Sequence, residues 1–257
     1  MIRFSIITVC YNAAACLPHT LDSVMEQTYP YVEHVIIDGC STDGSIGILE
    51  KYREQAESDE NNFHDVHIVS EPDRGLYDAM NKGLAKAQGD YVLFLNAGDA
   101  FPSSGTLDMV VSSIADGEIL PAVIYGDTDI VDGNYQFLCH RRLSPPEELT
   151  WRSFLHGMVV CHQAFYARTD IARSIPYDMT YRYSADVDWC INVMKEAGRQ
   201  GLSLRYCHAV VANYLKEGQS TIHHRASLVE RFHVMRKHYG LLPTVVMHLW
   251  FVIRSII

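Results

Sequence analysis

Paired cysteines are what this 257-residue chain most plainly lacks. Its seven cysteines are odd in number, and no two have C-x-x-C spacing. Several, such as Cys10 and Cys161, sit in apolar runs, where cysteine behaves as a small hydrophobe. A zinc site and a disulfide framework are thereby excluded, and a reducing compartment is expected. Positive charge is also short: 21 Lys and Arg face 31 Asp and Glu, for a formal net charge of −10. No nucleic-acid partner is expected, since phosphate binding needs an excess of Lys and Arg. Three glycine signatures are missing as well. The first strand is followed by Cys10-Tyr11-Asn12-Ala13 and not G-x-G-x-x-G, so a dinucleotide does not bind there in the usual way. Without G-x-x-x-x-G-K-[ST] the chain is no P-loop ATPase, and without G-x-S-x-G it is no ordinary α/β-hydrolase. The opening MIRFSIITVCYN reads as a strand, because its apolar run is too short for a signal peptide and lacks a small-residue cleavage site.

What is present is globular: 48% of residues are apolar and 20% charged, enough for a sizeable core. Four β-branched runs stand out: Phe4–Val9, His34–Ile37, Val66–Val69 and Tyr91–Leu95. Segments of helical period separate them, carried by Leu17, Leu21 and Val24, by Ile46, Leu49 and Tyr52, and by Leu76, Met80, Leu84 and Ala87. Strands alternating with helices predict βαβ units and an α/β fold with a mostly parallel central sheet flanked by helices, which Ala122–Tyr125 would extend.

The strand ends are polar: Tyr11-Asn12, Asp38-Gly39, Glu71-Pro72-Asp73, Asn96-Ala97-Gly98-Asp99 and Gly126-Asp127. Singly these are ordinary turn formers. Together they describe a ligand crevice outside the carboxyl ends of parallel strands. In IIDGCSTDGS, Asp38 is placed to accept a hydrogen bond from a ligand such as a pyrimidine imide, and Ser41, Thr42 or Asp43 can cap the following helix. Arg74 can meet phosphate bidentately, and Asn81 lies one turn into the next helix. Asp99 ends a buried strand on a glycine-flexed turn, and a divalent cation on a nucleotide needs only one or two carboxylates. Ser184 is a natural N-cap that puts Asp186 in a first helical turn.

SIITVCYN, IIDGCSTDGS, EPDRGLYDAMNKGLAKAQGDYVLFLNAGD and ADVDWCINVMKEAG occur in that order over roughly residues 3–215. As an ordered set they resemble family 2 glycosyltransferases of the GT-A fold, nearest to bacterial enzymes of exopolysaccharide, colanic-acid and O-antigen synthesis. The resemblance implies inverting transfer from a nucleotide-activated sugar, best guessed as a UDP-sugar, to a hydroxyl of a glycan or lipid-diphosphate-linked acceptor. Thr8, Tyr11, Asn12, Asp38 and Arg74 match nucleotide-lining positions, and Asp43, Asn81, Asn96 and Gly98 belong to the same motifs. Asp99 matches the last carboxylate of the family's metal motif, for Mn2+ or Mg2+, and Asp186 its general base. His223 matches a loop that closes over the diphosphate, sometimes with a histidine on the metal. His162-Gln163 resembles the segment beneath the acceptor, and a satisfied interior histidine explains it as well. Two departures are Asn96 in place of a first metal carboxylate and Ala185 in place of the Glu before the base. They favour the alternative of a non-catalytic sugar-nucleotide or glycan binder derived from a transferase.

Residues 1–215 thus form the expected GT-A domain and 216–257 a helical tail. The tail holds six Lys or Arg against two acids, so it is +4 and the remainder −14. Its stretch Leu241–Ile253 carries no formal charge but is too short to span a bilayer. An interfacial helix is expected, on a cytoplasmic protein peripheral to the inner face of the cytoplasmic membrane.

Overall fold

The computed structural model describes residues 1–58, 64–114, 119–216 and 224–256. The predicted β/α alternation is there: β1 (Phe4–Cys10), α1 (Leu17–Met25), β2 (Val32–Asp38), α2 (Ser45–Ser58), β3 (Asp65–Ser70), α3 (Leu76–Lys86) and β4 (Tyr91–Phe94). Then follow α4 (Thr106–Ser112), β5 (Val123–Val131), β6 (Phe137–His140), 3-10 turns at Trp151–His156 and His162–Ala164, and β7 (Phe165–Arg168). The chain continues through α5 (Thr169–Ser174), α6 (Ala185–Arg199), β8 (Leu204–Leu215), α7 (His224–Tyr239) and α8 (Leu241–Ile256).

The strands form one sheet in the order β3-β2-β1-β4-β7-β5-β6, with β8 beside β5. β1, β2, β3 and β4 run parallel, and every residue of β1, β2 and β4 is buried, as expected where helices cover both faces. The register sets Cys10 opposite Asp38 and Asp38 opposite Ser70, so the first three strands end level. The far half is mixed. β7 is antiparallel to both β4 and β5 and separates them. The run Ala122–Tyr125 does enter the sheet, but Gly126-Asp127 lie inside β5 and not at its end. A Cβ on Gly126 would meet the Ala209 carbonyl oxygen at 2.7 Å, at a register shift against β8, and Asp127 accepts the Tyr206 hydroxyl at 2.5 Å. Close strand approach, not a ligand, explains that pair.

Helix α3 buries Tyr77, Met80 and Leu84, whereas Leu76 is 41% exposed, so its inner face starts one residue later than the period suggested. The two tail helices differ. Val234 of α7 is fully buried in the main core against α6. Helix α8 packs on α7, where His248 meets the Phe232 ring at 5.0 Å between centroids, and it turns Leu242, Val246, Leu249 and Ile253 outward. Among the described residues no helix is long and apolar enough to cross a membrane.

Candidate active site

At the level ends of β1 to β3 the loops are stitched together by the residues singled out from the sequence. Asp38 is fully buried; it accepts the Ser41 N–H at 3.0 Å and the Ser70 hydroxyl at 2.7 Å. Burial acts to raise its pKa, but these hydrogen bonds outweigh it and hold the carboxyl below its usual range. Asn12, at φ 50°, accepts the Thr42 N–H at 2.8 Å, and Asp43 accepts the Ala14 N–H at 2.9 Å and the Ser45 hydroxyl at 2.6 Å. These pairs tie the loop after β1 to the loop after β2. Tyr11 stands above them, 65% exposed. A Cβ on Gly39 would meet the Asp73 carboxylate at 2.4 Å and Tyr11 at 3.2 Å, so three loops converge at this glycine.

Other members of the set have internal duties. The Thr8 hydroxyl donates to the Leu95 carbonyl at 2.8 Å and lies 2.9 Å from His34 Nε2, inside the sheet. Arg74 is exposed and paired with Asp78 at 2.9 Å. Asn81 commits both ends of its amide to the Tyr177 backbone, at 3.0 and 2.8 Å, and so braces α3. His223 lies outside the described residues.

The turn after β4 carries Asp99 inward. Gly98 has φ 102°, which favours glycine, and its N–H donates to Thr20 Oγ1 at 2.8 Å. Asp99 is 6% exposed, accepts Gln163 Nε2 at 2.9 Å and the Leu215 N–H at 3.4 Å, and is pushed up to about 6 by burial. Asn96 Nδ2 donates to His162 Nε2 at 3.1 Å, which leaves the imidazole proton on Nδ1. Asn96 Oδ1 is buried without a partner among the described residues.

His162 Nδ1 in turn lies 3.4 Å from Asp186 Oδ2, and the Tyr77 hydroxyl donates to Asp186 Oδ1 at 3.2 Å. Burial would raise the Asp186 pKa, but hydrogen bonding to His162 and the charge of Arg231 hold it below its usual range. Adjacent residues of one 3-10 turn therefore hold the two carboxylates: Gln163 takes Asp99 and His162 takes Asp186. Ser184 does not cap α6 with its side chain; the hydroxyl donates to the Ser227 carbonyl at 3.1 Å. The N–H groups of Arg182, Tyr183 and Ser184 are taken instead by Glu230 of α7, at 2.9, 2.7 and 3.0 Å. Sequence reasoning missed Tyr77, Glu230 and Arg231, and had only the His162-Gln163 pair as a hint.

Could this turn hold a divalent cation? Among the described residues no three His, Cys, Asp or Glu side chains cluster as a metal site. The donors are nevertheless of the right kind. Asp99 is a buried carboxylate that a cation would keep ionised, and the orphaned Asn96 Oδ1 is a hard oxygen on the same turn.

The chain matches known proteins on the same ground. The family description "Glycosyl transferase family 2" fits residues 5–174. A PGL/p-HBAD biosynthesis glycosyltransferase of Mycobacterium bovis (strain BCG / Pasteur 1173P2) is 35% identical over 217 residues, 84% of this chain and 77% of that protein. The putative teichuronic acid biosynthesis glycosyltransferase TuaG of Bacillus subtilis (strain 168) is 41% identical over 96 residues, 37% of this chain and 35% of TuaG. In fold the chain is similar to S. aureus TarS 1-349 in complex with UDP-GlcNAc, at TM-score 0.70 and 21% identity, over 91% of this chain and 65% of that one. It is likewise similar to the mannosyltransferase PcManGT of Pyrobaculum calidifontis in complex with GDP-Man and Mn2+, at TM-score 0.64 and 20% identity, over 96% of this chain and 68% of that one. The expected GT-A architecture is the observed one, and the chain belongs to glycosyl transferase family 2 and is a glycosyltransferase.

Proposed function

We propose that the chain is an inverting enzyme in which Asp186 is the general base and the turn Asn96–Asp99 faces the diphosphate of a nucleotide-sugar donor. One observation carries this reading: neighbouring residues of a single turn hold Asp99 and Asp186, so a leaving group at one would stand close to an acceptor hydroxyl at the other. Asp186, kept ionised by His162 and Arg231, takes the acceptor hydroxyl proton as that oxygen attacks the anomeric carbon. Tyr77 and His162 fix the carboxylate's orientation. Attack from the side opposite the diphosphate inverts the anomer. Asp99 and Asn96 Oδ1 would hold Mn2+ or Mg2+, which when bound supplies positive charge against the leaving diphosphate.

The donor is a nucleotide sugar, with a UDP-sugar the first candidate; TarS has been solved with UDP-GlcNAc and PcManGT with GDP-Man and Mn2+. The acceptor is a lipid-diphosphate-linked glycan of a surface polysaccharide, handled at the inner face of the cytoplasmic membrane. The tail supports this. Leu242 is 76% and Leu249 61% exposed on α8, a charge-free apolar stripe beside the exposed Arg236 of α7. Burying each leucine in lipid is worth roughly 1.5–3 kcal/mol.

Nucleotide release from UDP-, GDP- and dTDP-sugars, with and without a lipid-diphosphate acceptor and manganese, tests the assignment, with the product anomer read by NMR. Acceptor-dependent release with an inverted anomer is expected; a retained anomer overturns the mechanism. Leu242→Glu with Leu249→Glu should reduce binding to anionic vesicles about tenfold or more. Unchanged vesicle binding removes the tail's role.

A further inference from the structure

Asp188 stands next but one to Asp186 on α6, and the transfer chemistry gives it no part. Side chains two apart on a helix point about 200° from one another. Asp186 accordingly meets Tyr77 and His162, while Asp188 turns to α7. Asp188 is 3% exposed. Its Oδ1 accepts His238 Nε2 at 2.7 Å and Lys237 Nζ at 3.0 Å, and its Oδ2 accepts Asn192 Nδ2 at 3.0 Å and Lys237 Nζ at 3.1 Å. These contacts fill the acceptor sites of the carboxylate, so Asp188 is no second base.

The grip is itself braced. Lys195 Nζ lies 2.8 Å from His238 Nδ1. An ammonium only donates, so Nδ1 accepts and the imidazole proton sits on Nε2, aimed at Asp188. Lys195 is held over the Trp151 ring at 4.6 Å from its centroid. Tyr239 stacks on that ring at 5.5 Å, and its hydroxyl donates to the Trp151 carbonyl at 2.6 Å. Lys237 also reaches Asp178, in the approach to α6, at 3.5 Å. The last residues of α7 are thus committed to α6 and its surroundings. About two turns earlier on α7, Glu230 takes the N–H groups that lead into α6. One contact fixes where α6 begins; the other is a side chain by which α7 resists its rotation. Buried ion pairs are often no more stabilising than apolar packing, so direction is what this network adds.

We propose that Asp188 is a positioning residue for the transfer reaction: gripped by His238 and Lys237, it sets the rotation of the first turns of α6 and through them the aim of Asp186. The proposal rests on the assignment of Asp186 as general base and deepens it by naming what holds that base in line.

The test uses the full chain. Nitrogen NMR of the imidazoles reads His162, which faces Asp186 from the side away from α7, with its signals identified by their loss in His162→Gln. His238→Leu should shift the His162 signals in the same direction as Asp186→Asn does. In the nucleotide-release assay above, His238→Leu should lower kcat by up to about 100-fold, the cost of a misplaced reacting group, and leave the donor KM unchanged. His238→Gln, whose amide can still donate to Asp188, should recover most of the loss. In the Asp186→Asn background His238→Leu should cost nothing further, because both changes act through one carboxylate. Losses that multiply in that background, a donor KM that rises as kcat falls, or His162 signals that stay in place would each overturn the proposal. Lys237→Met, at a half-exposed side chain, carries the same measurements if His238→Leu fails to fold. The two readings fail separately: full turnover in Asp186→Asn removes the base, whereas a normal loss there with multiplying effects removes only the role of Asp188.

Discussion

The proposed donor half of the site, from β1 to β4, takes each polar group from the end of a strand that the sheet has already aligned. Cys10, Asp38 and Ser70 are register partners before they are hydrogen-bond partners. The base half is assembled from distant pieces. Asp186 sits on α6, its partner Tyr77 is 109 residues away on α3, and the turn that bears it is held from 46 to 48 residues downstream by Glu230. The donor half inherits its geometry from the most buried part of the molecule. The base half depends on contacts between elements that local opening would separate first.

Breaking the base half alone gives the largest effect. Asp186→Asn should lower turnover by about 10²–10⁴-fold, the usual worth of general-base help, with donor affinity unchanged by calorimetry. Full activity in that variant removes Asp186 from the mechanism. Breaking the donor half comes next. Asp99→Ala should weaken UDP binding in the presence of manganese by about 100-fold, at the upper end of losses seen when metal-site partners are removed. Donor binding that ignores both this change and a chelator would mean that the site works without a metal.

Glu230→Ala separates the halves more finely. Three N–H groups lose one acceptor, so urea unfolding should register about 1–3 kcal/mol, and turnover should fall while UDP affinity holds. Equal damage to both functions would mean that α7 supports the whole fold. The smallest effect is a pH response that only one half feels. Asp99, near 6, is protonated below that pH and ionised above it. UDP binding with manganese should therefore weaken by up to about tenfold per pH unit below about 6 and be flat above it. Asp38 and Asp186 are both held below the usual carboxylate range and stay ionised through that window.

The same division decides what could be read without coordinates. The four strands of the donor half were visible because each is a short β-branched run ending in a polar turn, and Asp99 and Asp186 were visible because glycine and a helix start bracket them. β7 was not, since FYAR is four residues long and nothing in it signals an antiparallel strand between β4 and β5. Thr8 and Asn81 belong to recognisable motifs, yet their polar atoms face the interior, and motif position carries no information on which way a side chain turns. Glu230 had no local signal, because an acceptor for another helix's amide groups is defined by packing between helices and by nothing in its own neighbourhood.

Gly240, at φ 85°, is the single residue between α7 and α8. So short a joint folds α8 back along α7, where His248 meets Phe232 at 5.0 Å between ring centroids. Phe232 is two residues from Glu230, so α8 lies alongside the segment of α7 that braces the start of α6. In the membrane-bound state proposed above, a bilayer gripped by α8 would sit at a height set by that packing. One extra turn spliced into α7 between Phe232 and Gly240 would slide α8 by about 5.4 Å and part His248 from Phe232.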